Sequence, residues 1–443
     1  MNGRRVAVWR RHRRVFLIKQ TLSHEETSMN AQQEGGLAPW QIAIGACLAL
    51  IVGNGPIMQF TFGVLIIPLS EAMGTDRGTV STALLVGLVT TGVATPWIGR
   101  LMDRHGVRRV GSFCILAFAL LTAACGWFSH SVATLILLYF FAGLFAAGQT
   151  PLAYSKAITA AFDRQRGLAL GVAAAGVGIG TMLMPMVAQW LLSHFGWRGA
   201  YVGLGALTAL IALPALTLMV VPGGKNRTGS QASRTDAAGA ASAPGWTARQ
   251  ARSSGVFWMM AGAFFLVALA VSGTIAHIVP LLVDRNVSPQ AAAAAISTAG
   301  LSLLVGRVFA GWMLDRYPAP YVAILFFCLP LAGQALLLLN HSQHAGLVAA
   351  VLIGLGLGAE IDLIAFMQSR YFGHKAFGEI YGYFFAIFMF ASGFGPFLMG
   401  QTFHISGSYE PFLLVSMVGL GIACLLMVAL RRAPERVVPA HVT

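Results

Sequence analysis

Residues 99–109 read GRLMDRHGVRR and form a short polar stretch between two long apolar segments. A related stretch, GWMLDR at residues 311–316, also closes an apolar segment, and the aspartates of the two stretches are 212 residues apart. Pro68 and Pro280, each followed by a leucine, are separated by the same 212 residues. Two landmarks in one register indicate that the chain is a tandem duplication, with each copy forming half of the fold.

The apolar segments on either side of these motifs predict the fold class. Hydrophobic residues make up 57% of the 443-residue chain and charged residues 10%, which excludes an ordinary soluble globular protein. About 20 apolar residues are needed to span ~30 Å of hydrocarbon. We therefore predict an all-α polytopic membrane protein with 12 transmembrane helices in two pseudo-symmetric six-helix bundles. The predicted helices are 40–67, 79–101, 109–128, 132–155, 167–192, 199–221, 256–283, 290–313, 320–340, 345–370, 378–403 and 411–431.

The chain is predicted to divide into five parts. They are a basic cytoplasmic tail (1–39), an N-terminal bundle (40–221), a cytoplasmic linker (222–254), a C-terminal bundle (255–431) and a second cytoplasmic tail (432–443). Residues 222–245 of the linker are rich in glycine, serine and alanine, so we expect this stretch to be flexible.

The positive charges are distributed unequally between the two sides of the membrane. If both termini are cytoplasmic, 25 of the 29 lysines and arginines fall on the cytoplasmic side. The other side holds only Arg77, Arg198 and Arg285, and Arg307 falls inside a span. This asymmetry is what the positive-inside rule predicts for cytoplasmic N and C termini. The net charge of +14 is therefore expected to face anionic membrane lipid, and no nucleic-acid partner is predicted.

Cysteine spacing and side-chain clusters bear on the chemistry. The five cysteines all lie in apolar stretches without CxxC or metal-type spacing, so neither disulfides nor a metal site is predicted. No nucleophile and base are clustered in the sequence, and no cofactor motif is present. We expect a protein that is not an enzyme and that needs no cofactor.

The motif at 99–109 looks like the loop signature of the major facilitator superfamily, and residues 40–430 fit its layout. Residues 162–176 and the pattern of Asn54-Gly55 followed by Phe62-Gly63-Val64 resemble the monocarboxylate transporter branch and its oxalate:formate antiporter relatives. The resemblance implies alternating access around a midplane site between the two halves. It also implies a bacterial inner-membrane location, a single-chain protein and a small organic anion as substrate.

The same resemblance implies a conformational latch in the polar stretches. A carboxylate there caps a neighbouring helix while arginines pair with acids across the bundle interface, and both contacts hold in one state only. The alternative is that these residues are simple anchoring cations. The candidate latch residues are Gly99, Asp103, Arg104, Gly106 and Arg108, with Asp315 and Arg316 as the second copy.

Arg307 is the candidate for holding substrate. It lies eight residues before Asp315, and a guanidinium can make two parallel hydrogen bonds to a carboxylate without losing its charge. The resemblance supports this role, since the family has a substrate-binding arginine in its eighth helix. The alternative is an arginine that anchors the helix by snorkelling to the membrane surface.

Three ionisable residues are candidates for proton coupling, namely Glu360, Asp362 and His277. Glu360 and Asp362 point roughly 200° apart on a helix, so only one of them can face a cavity while the other pairs elsewhere, with Arg370 a candidate partner. Intramembrane acids are by default functional sites, although an Arg307–acid pair that only holds two helices together is the alternative. His277 lies near the outer end of its helix, where an interfacial histidine is also expected.

Five uncharged polar residues are further candidates for binding substrate, although such residues also bridge helices. They are Asn54, Gln59, Gln149, Tyr154 and Tyr383.

Several departures from the family pattern limit the substrate. Animal members carry an aspartate one turn before the arginine, where this chain has Leu303, and a lysine in the first helix, where this chain has neutral residues. One fixed cation neutralises one carboxylate, which favours a monoanion. The alternatives are an efflux pump for apolar or cationic compounds, in which Arg307 would be dispensable, and a non-transporting membrane sensor.

Overall fold

The structure, a computed structural model, describes residues 38–150, 154, 158, 162, 166–218, 245–373 and 375–431. The predicted tails up to residue 37 and from residue 432, and the linker up to residue 244, lie outside these residues. The described part forms thirteen α-helices. They are α1 (Ala38–Ile51), α2 (Phe62–Met73), α3 (Arg77–His105), α4 (Val107–Phe128), α5 (Val132–Ala146), α6 (Arg166–Leu218), α7 (Ala248–Arg252), α8 (Gly255–Val283), α9 (Pro289–Leu314), α10 (Ala319–Leu339), α11 (Gln343–Phe372), α12 (Phe377–Ser406) and α13 (Glu410–Leu430).

The helices confirm the predicted fold class. Eleven described helical stretches are long and apolar enough to cross a membrane, and one of them, Leu168–Thr217, contains 50 residues and so accounts for two spans. The two helices predicted at 167–192 and 199–221 meet at Gly196, which interrupts α6 with a non-helical backbone (φ 67°). A single glycine suffices because it adopts positive φ without steric cost.

The first span is broken rather than continuous over residues 40–67. A π-helical turn, Gly55–Phe60, separates α1 from α2, and Pro56 at its start has no N–H to continue an α-helical ladder. Pro68 lies inside α2 instead of ending it, and the helix continues to a left-handed cap at Gly74.

The end of the linker is folded. Thr247 and Gln250 form a reciprocal capping box that starts α7. The Trp246 N–H donates to the Phe372 carbonyl at 2.9 Å, and the two rings pack edge to face. Residues 245–254, at the end of the predicted 222–254 linker, therefore dock on the end of α11.

The two halves touch through small residues along one face of α12. Gly400 approaches Gly78, Gly393 approaches Leu85, and Met389 packs on Gly92, so α3 and α12 run antiparallel in close contact. We call the end of the bundle where α3 meets α4, with Arg104 and Arg108, the arginine-rich end. The contacts between α3 and α12 extend from the other end of the bundle to about the middle of α3.

The same face of α12 is open towards the arginine-rich end. Gly382 lies two helical turns before Met389 and therefore points in the same direction. A Cβ atom built at Gly382 would meet no atom of the described residues within 4 Å, and the same holds for Gly378. In the described part of the chain, a gap therefore separates the halves at the arginine-rich end, while they are in contact at the opposite end.

Candidate functional site

Arg307 and Asp362 form an ion pair between α9 and α11. These helices run side by side in the same direction, with Gly358 packed against the backbone of Leu303 and Arg307. One turn further on, Asp362 reaches Arg307, with an Nε–Oδ2 distance of 3.2 Å. Arg307 lies seven residues before the end of α9, about 10 Å from the arginine-rich end at 1.5 Å per residue.

The ion pair leaves the hydrogen-bonding capacity of Arg307 largely unused. The arginine Nε is within ion-pair distance of Asp362 but is buried without a hydrogen-bond partner among the described residues. Side-chain exposure is 18% for Arg307 and 40% for Asp362, so the pair is accessible to a small molecule. Such a site can exchange one carboxylate for another, because a guanidinium has five donors and carboxylates of either origin fit it.

The environment of Glu360 differs from that of Asp362, as expected for two residues that point in opposite directions from one helix. Its side chain is 1% exposed, and neither carboxyl oxygen has a hydrogen-bond partner in the described part of the chain. It lies one turn after Gly356, which packs on Phe326 and Pro330 of α10. Asp362 is therefore the acid beside Arg307. The guanidinium of Arg370, the other suggested partner, lies over the Phe366 ring at 5.3 Å.

Tyr381 of α12 adjoins the pair and was missed by the sequence reasoning. It lies within the range of charge interaction with both Asp362 and Arg307. Tyr383, the predicted tyrosine, has other contacts, because its hydroxyl donates to Glu379 at 3.1 Å and Arg252 lies over its ring at 4.9 Å. Residues two positions apart on a helix point in nearly opposite directions. We therefore replace Tyr383 by Tyr381 in the candidate site.

The uncharged candidates of the N-terminal half are buried. Asn54, Gln149 and Tyr154 are each at most 8% exposed, and the Asn54 Oδ1, both Gln149 amide atoms and the Tyr154 hydroxyl lack hydrogen-bond partners among the described residues. None of them is hydrogen-bonded to Arg307 or Asp362 in the described residues. Gln59 instead donates from Nε2 to the Ser272 hydroxyl at 3.5 Å, a contact between the two halves.

A second ion pair closes the opposite end. Arg77 at the start of α3 makes a bidentate contact with Asp284 at the end of α8, with Nη2–Oδ1 at 2.9 Å. It also donates to the Tyr409 hydroxyl at 2.7 Å, and its guanidinium lies 4.3 Å from the centre of the Phe403 ring. We call Arg77, Asp284, Phe403 and Tyr409 the closing cluster.

The only sequence signal for this cluster was that Arg77 is one of three cations on its side of the membrane. Which residue it pairs with depends on a contact between segments 207 residues apart in the chain. Burial raises the pKa of Tyr409 more than Arg77 lowers it, so the hydroxyl stays protonated and accepts the hydrogen bond from Arg77.

His277 lies beside the closing cluster and is fully buried. Its Nε2 is 2.9 Å from the Pro396 carbonyl oxygen and 3.2 Å from the Ser81 hydroxyl, and its ring lies against Tyr409. The ring is therefore buried within the protein near the end of α8. His277 is part of the contact between the halves, at the end opposite to Arg307.

The latch candidates make few contacts. Arg104 and Arg108 are exposed and have no ion pair with another described residue. Arg316 folds back on its own helix, donating to the Trp312 carbonyl, and Asp315 is the C-cap of α9. Gly99 lies inside α3, and Gly106 joins α3 to α4 with φ 88°. The side chain of Asp103 is not among the described parts of the structure.

No cluster of three or more histidine, cysteine or acidic residues suited to a metal ion occurs in the described ranges. The protein thus combines apolar spanning helices, two halves in contact at one end, and one accessible ion pair beside the gap at the other end. This combination defines a polytopic membrane transporter. The sequence profile of the Major Facilitator Superfamily matches residues 44–396 and, again, 278–442, and the chain belongs to this superfamily of transporters, which are not enzymes.

Named relatives agree with the predicted branch. The chain is 27% identical to monocarboxylate transporter 13 of Bos taurus over 316 residues (70% of each chain) and 27% identical to monocarboxylate transporter 11 of Homo sapiens over 377 residues (80% of this chain, 75% of that one). It is 24% identical to the uncharacterized MFS-type transporter YcxA of Bacillus subtilis (strain 168) over 386 residues (83% and 89%).

A solved structure has the same fold. It is the bacterial homologue of the human lysosomal transporter Spinster in an inward-facing, unoccupied conformation. The TM-score is 0.68 at 19% identity, and the match covers 91% of this chain and 100% of that one.

Proposed function

We propose that this protein is a proton-coupled secondary transporter that moves a small organic monoanion, a monocarboxylate, by alternating access. The observation that carries the proposal is the Arg307–Asp362 pair, an accessible arginine already matched with one carboxylate. The names of two relatives, monocarboxylate transporters 13 and 11, support a monocarboxylate as the substrate class.

The pair suggests how a proton and an anion travel together. While Asp362 is ionised, it balances the charge of Arg307 and competes with a substrate carboxylate for the same donors. Protonation of Asp362 removes that competitor and leaves Arg307 as an unbalanced cation, which then binds the substrate anion. One proton and one monoanion enter together, so the charge of the site is unchanged. A dicarboxylate would leave one negative charge unbalanced.

Alternating access is supported by the asymmetry between the two ends. The closing cluster joins the halves at one end, and Gly378 and Gly382 face open space at the other. We assign the arginine-rich end to the cytoplasm on the positive-inside rule, and the protein to the inner membrane of a bacterium as a single chain. Arg104 and Arg108, which form no ion pair among the described residues, would pair when the arginine-rich end closes.

The test is uptake into proteoliposomes of labelled mono- and dicarboxylates, driven by an inward proton gradient. Wild type should accumulate a monocarboxylate, and Arg307→Ala should abolish this uptake. Arg198→Ala is the control, because Arg198 is exposed and packs on the Trp197 ring, outside the candidate site and the candidate latch. Absence of carboxylate uptake by folded wild-type protein would contradict the proposal, as would full activity of Arg307→Ala.

The second candidate is an efflux antiporter for apolar or cationic compounds. It is favoured by Glu360, a buried carboxyl group without a partner among the described residues, which is a feature expected of a cation site. Under this alternative, Glu360→Gln abolishes drug-driven proton release, whereas Arg307→Ala does not.

A further inference from the structure

A series of stacked aromatic rings runs along α12 from the arginine-rich end. It consists of Phe377, Tyr381, Phe385 and Phe388, and we call it the aromatic series. Successive ring centres are 6.1, 6.0 and 6.4 Å apart, and successive ring planes differ by 10°, 17° and 24°. The series ends next to Met389, where the two halves close on Gly92. The aromatic series therefore extends over the same length of α12 as the gap.

The aromatic series passes the ion pair at Tyr381. This residue is within the range of charge interaction with Arg307 and Asp362, and its hydroxyl has no hydrogen-bond partner among the described residues. Phe385 lies one turn further into the gap and is only partly buried. Gly382, between them in sequence, borders open space. A molecule bound to Arg307 would thus have a free hydroxyl donor and two ring surfaces beside it.

We infer that the substrate class is the aromatic monocarboxylates, with the carboxylate on Arg307 and the ring against Tyr381 and Phe385. This inference rests on the proposed function and narrows it. Aromatic rings attract one another beyond the effect of buried area, by an amount equivalent to about 2- to 10-fold in affinity for each ring pair. A short aliphatic acid would satisfy Arg307 but would make no ring contact with Tyr381 or Phe385.

The roles of the two residues differ. The Tyr381 hydroxyl is placed to donate to the bound carboxylate, an interaction that every monocarboxylate shares. Phe385 has no polar group and can act only on the part of the substrate beyond the carboxylate. Tyr381 should therefore affect all acids alike, while Phe385 should determine the preference for a ring.

The experiment compares benzoate with cyclohexanecarboxylate, which have the same charge and nearly the same size but differ in aromaticity. Uptake of each labelled acid is measured in proteoliposomes as kcat/KM, with acetate as a small reference. Wild type should favour benzoate about 3- to 10-fold, and Phe385→Leu should remove this preference while still transporting both acids. Tyr381→Phe should lower kcat/KM for both acids without changing their ratio.

The matched control is Phe394→Leu. Phe394 lies on the same helix and stacks with Phe390 at 5.6 Å, but Phe390 is 46% exposed on another face of α12. This variant should keep the wild-type preference. Phe385→Tyr retains a ring and should also keep it, which separates loss of the ring from damage to folding. Monodisperse elution and an unchanged Tm would confirm that each variant is folded.

The outcomes separate the two proposals. Equal transport of benzoate and cyclohexanecarboxylate with dependence on Arg307 would overturn the inference and leave the proposed function intact. A benzoate preference that persists in Phe385→Leu would also overturn it. If folded wild-type protein moves no carboxylate at all, the proposed function fails, and the inference fails with it.

Discussion

The closing cluster gives the most quantitative prediction, because one ion pair joins the two halves at the end opposite to the gap. Arg77 and Asp284 are 15% and 33% exposed, and Arg77 makes two hydrogen bonds to the carboxylate and one to Tyr409. One buried hydrogen bond to a charged group contributes roughly 1.5–3 kcal/mol. We assign this single-bond value to the whole Arg77–Asp284 interaction, because partial exposure to solvent weakens each of its hydrogen bonds.

Neutralising either residue should shift the balance between the two conformations. Asp284→Asn or Arg77→Gln removes this stabilisation only from the state that is closed at the opposite end. A loss of roughly 1.5–3 kcal/mol corresponds to a population change of about 10- to 150-fold. The double variant should show little further change, because both substitutions remove the same interaction.

The assay is alkylation of a single cysteine at position 272 by a membrane-impermeant maleimide. Ser272 is 2% exposed and meets Gln59 between the halves, so Ser272→Cys should react only when that end opens. The five native cysteines are first replaced. Ile405→Cys is the control, because Ile405 is 82% exposed and its reactivity should not change.

The reasoning would be refuted if Asp284→Asn left the alkylation rate at position 272 within twofold of the parent. It would also be refuted if the effects of the two single variants added fully in the double variant. An increase at both positions 272 and 405 would indicate general loosening of the protein rather than opening of one end.

Three further predictions concern single residues. Asp76 caps α3 by accepting the Thr79 N–H at 2.8 Å, so Asp76→Ala should cost about 1 kcal/mol and lower Tm in detergent, whereas Asp76→Asn should not. Burial acts to raise the pKa of Asp76, but its hydrogen bonds with Thr79 prevail and lower it, so this stabilisation is complete above about pH 4 and is lost as the pH falls through the folded-state pKa. Glu360→Gln should leave proton-driven uptake within twofold of wild type, while Asp362→Asn should remove the dependence on the proton gradient; the reverse pattern would identify Glu360 as the coupling acid. Gly106→Ala should destabilise the α3–α4 connection by about 1 kcal/mol, because φ is 88° there, and an unchanged Tm would contradict this.

Most of the fold could be predicted, because hydrophobic length is a local property of the sequence. The duplicated GRLMDR and GWMLDR stretches and the long apolar segments predict the spans to within a few residues. The first span differs from the prediction because Pro56 lies in a π-helical turn, and the connection at Gly196 is shorter than the sequence indicated because a single glycine suffices. The folded end of the linker was missed because Trp246 and Thr247 are only two residues in a polar stretch.

The candidate site could be predicted in part. Arg307 and a helix α11 acid were recognised because ionisable groups are rare within spans, and the opposite directions of Glu360 and Asp362 follow from helix geometry. To choose Asp362 over Glu360, and Tyr381 over Tyr383, one must know which face of α11 and of α12 is turned towards Arg307. To predict the closing cluster, one must know that the start of α3 lies beside the end of α8 and the start of α13. These are properties of packing between distant segments, which the local sequence does not contain.

The most direct test of the account is the number of protons taken up when the anion binds. Binding of a transported monocarboxylate to the purified protein would be followed by titration calorimetry in buffers with different ionisation enthalpies. The exchange at Arg307 predicts uptake of about one proton per anion bound by wild type near neutral pH, and none by Asp362→Asn, which should still bind. Anion binding by wild type without proton uptake, or unchanged proton uptake in Asp362→Asn, would contradict it.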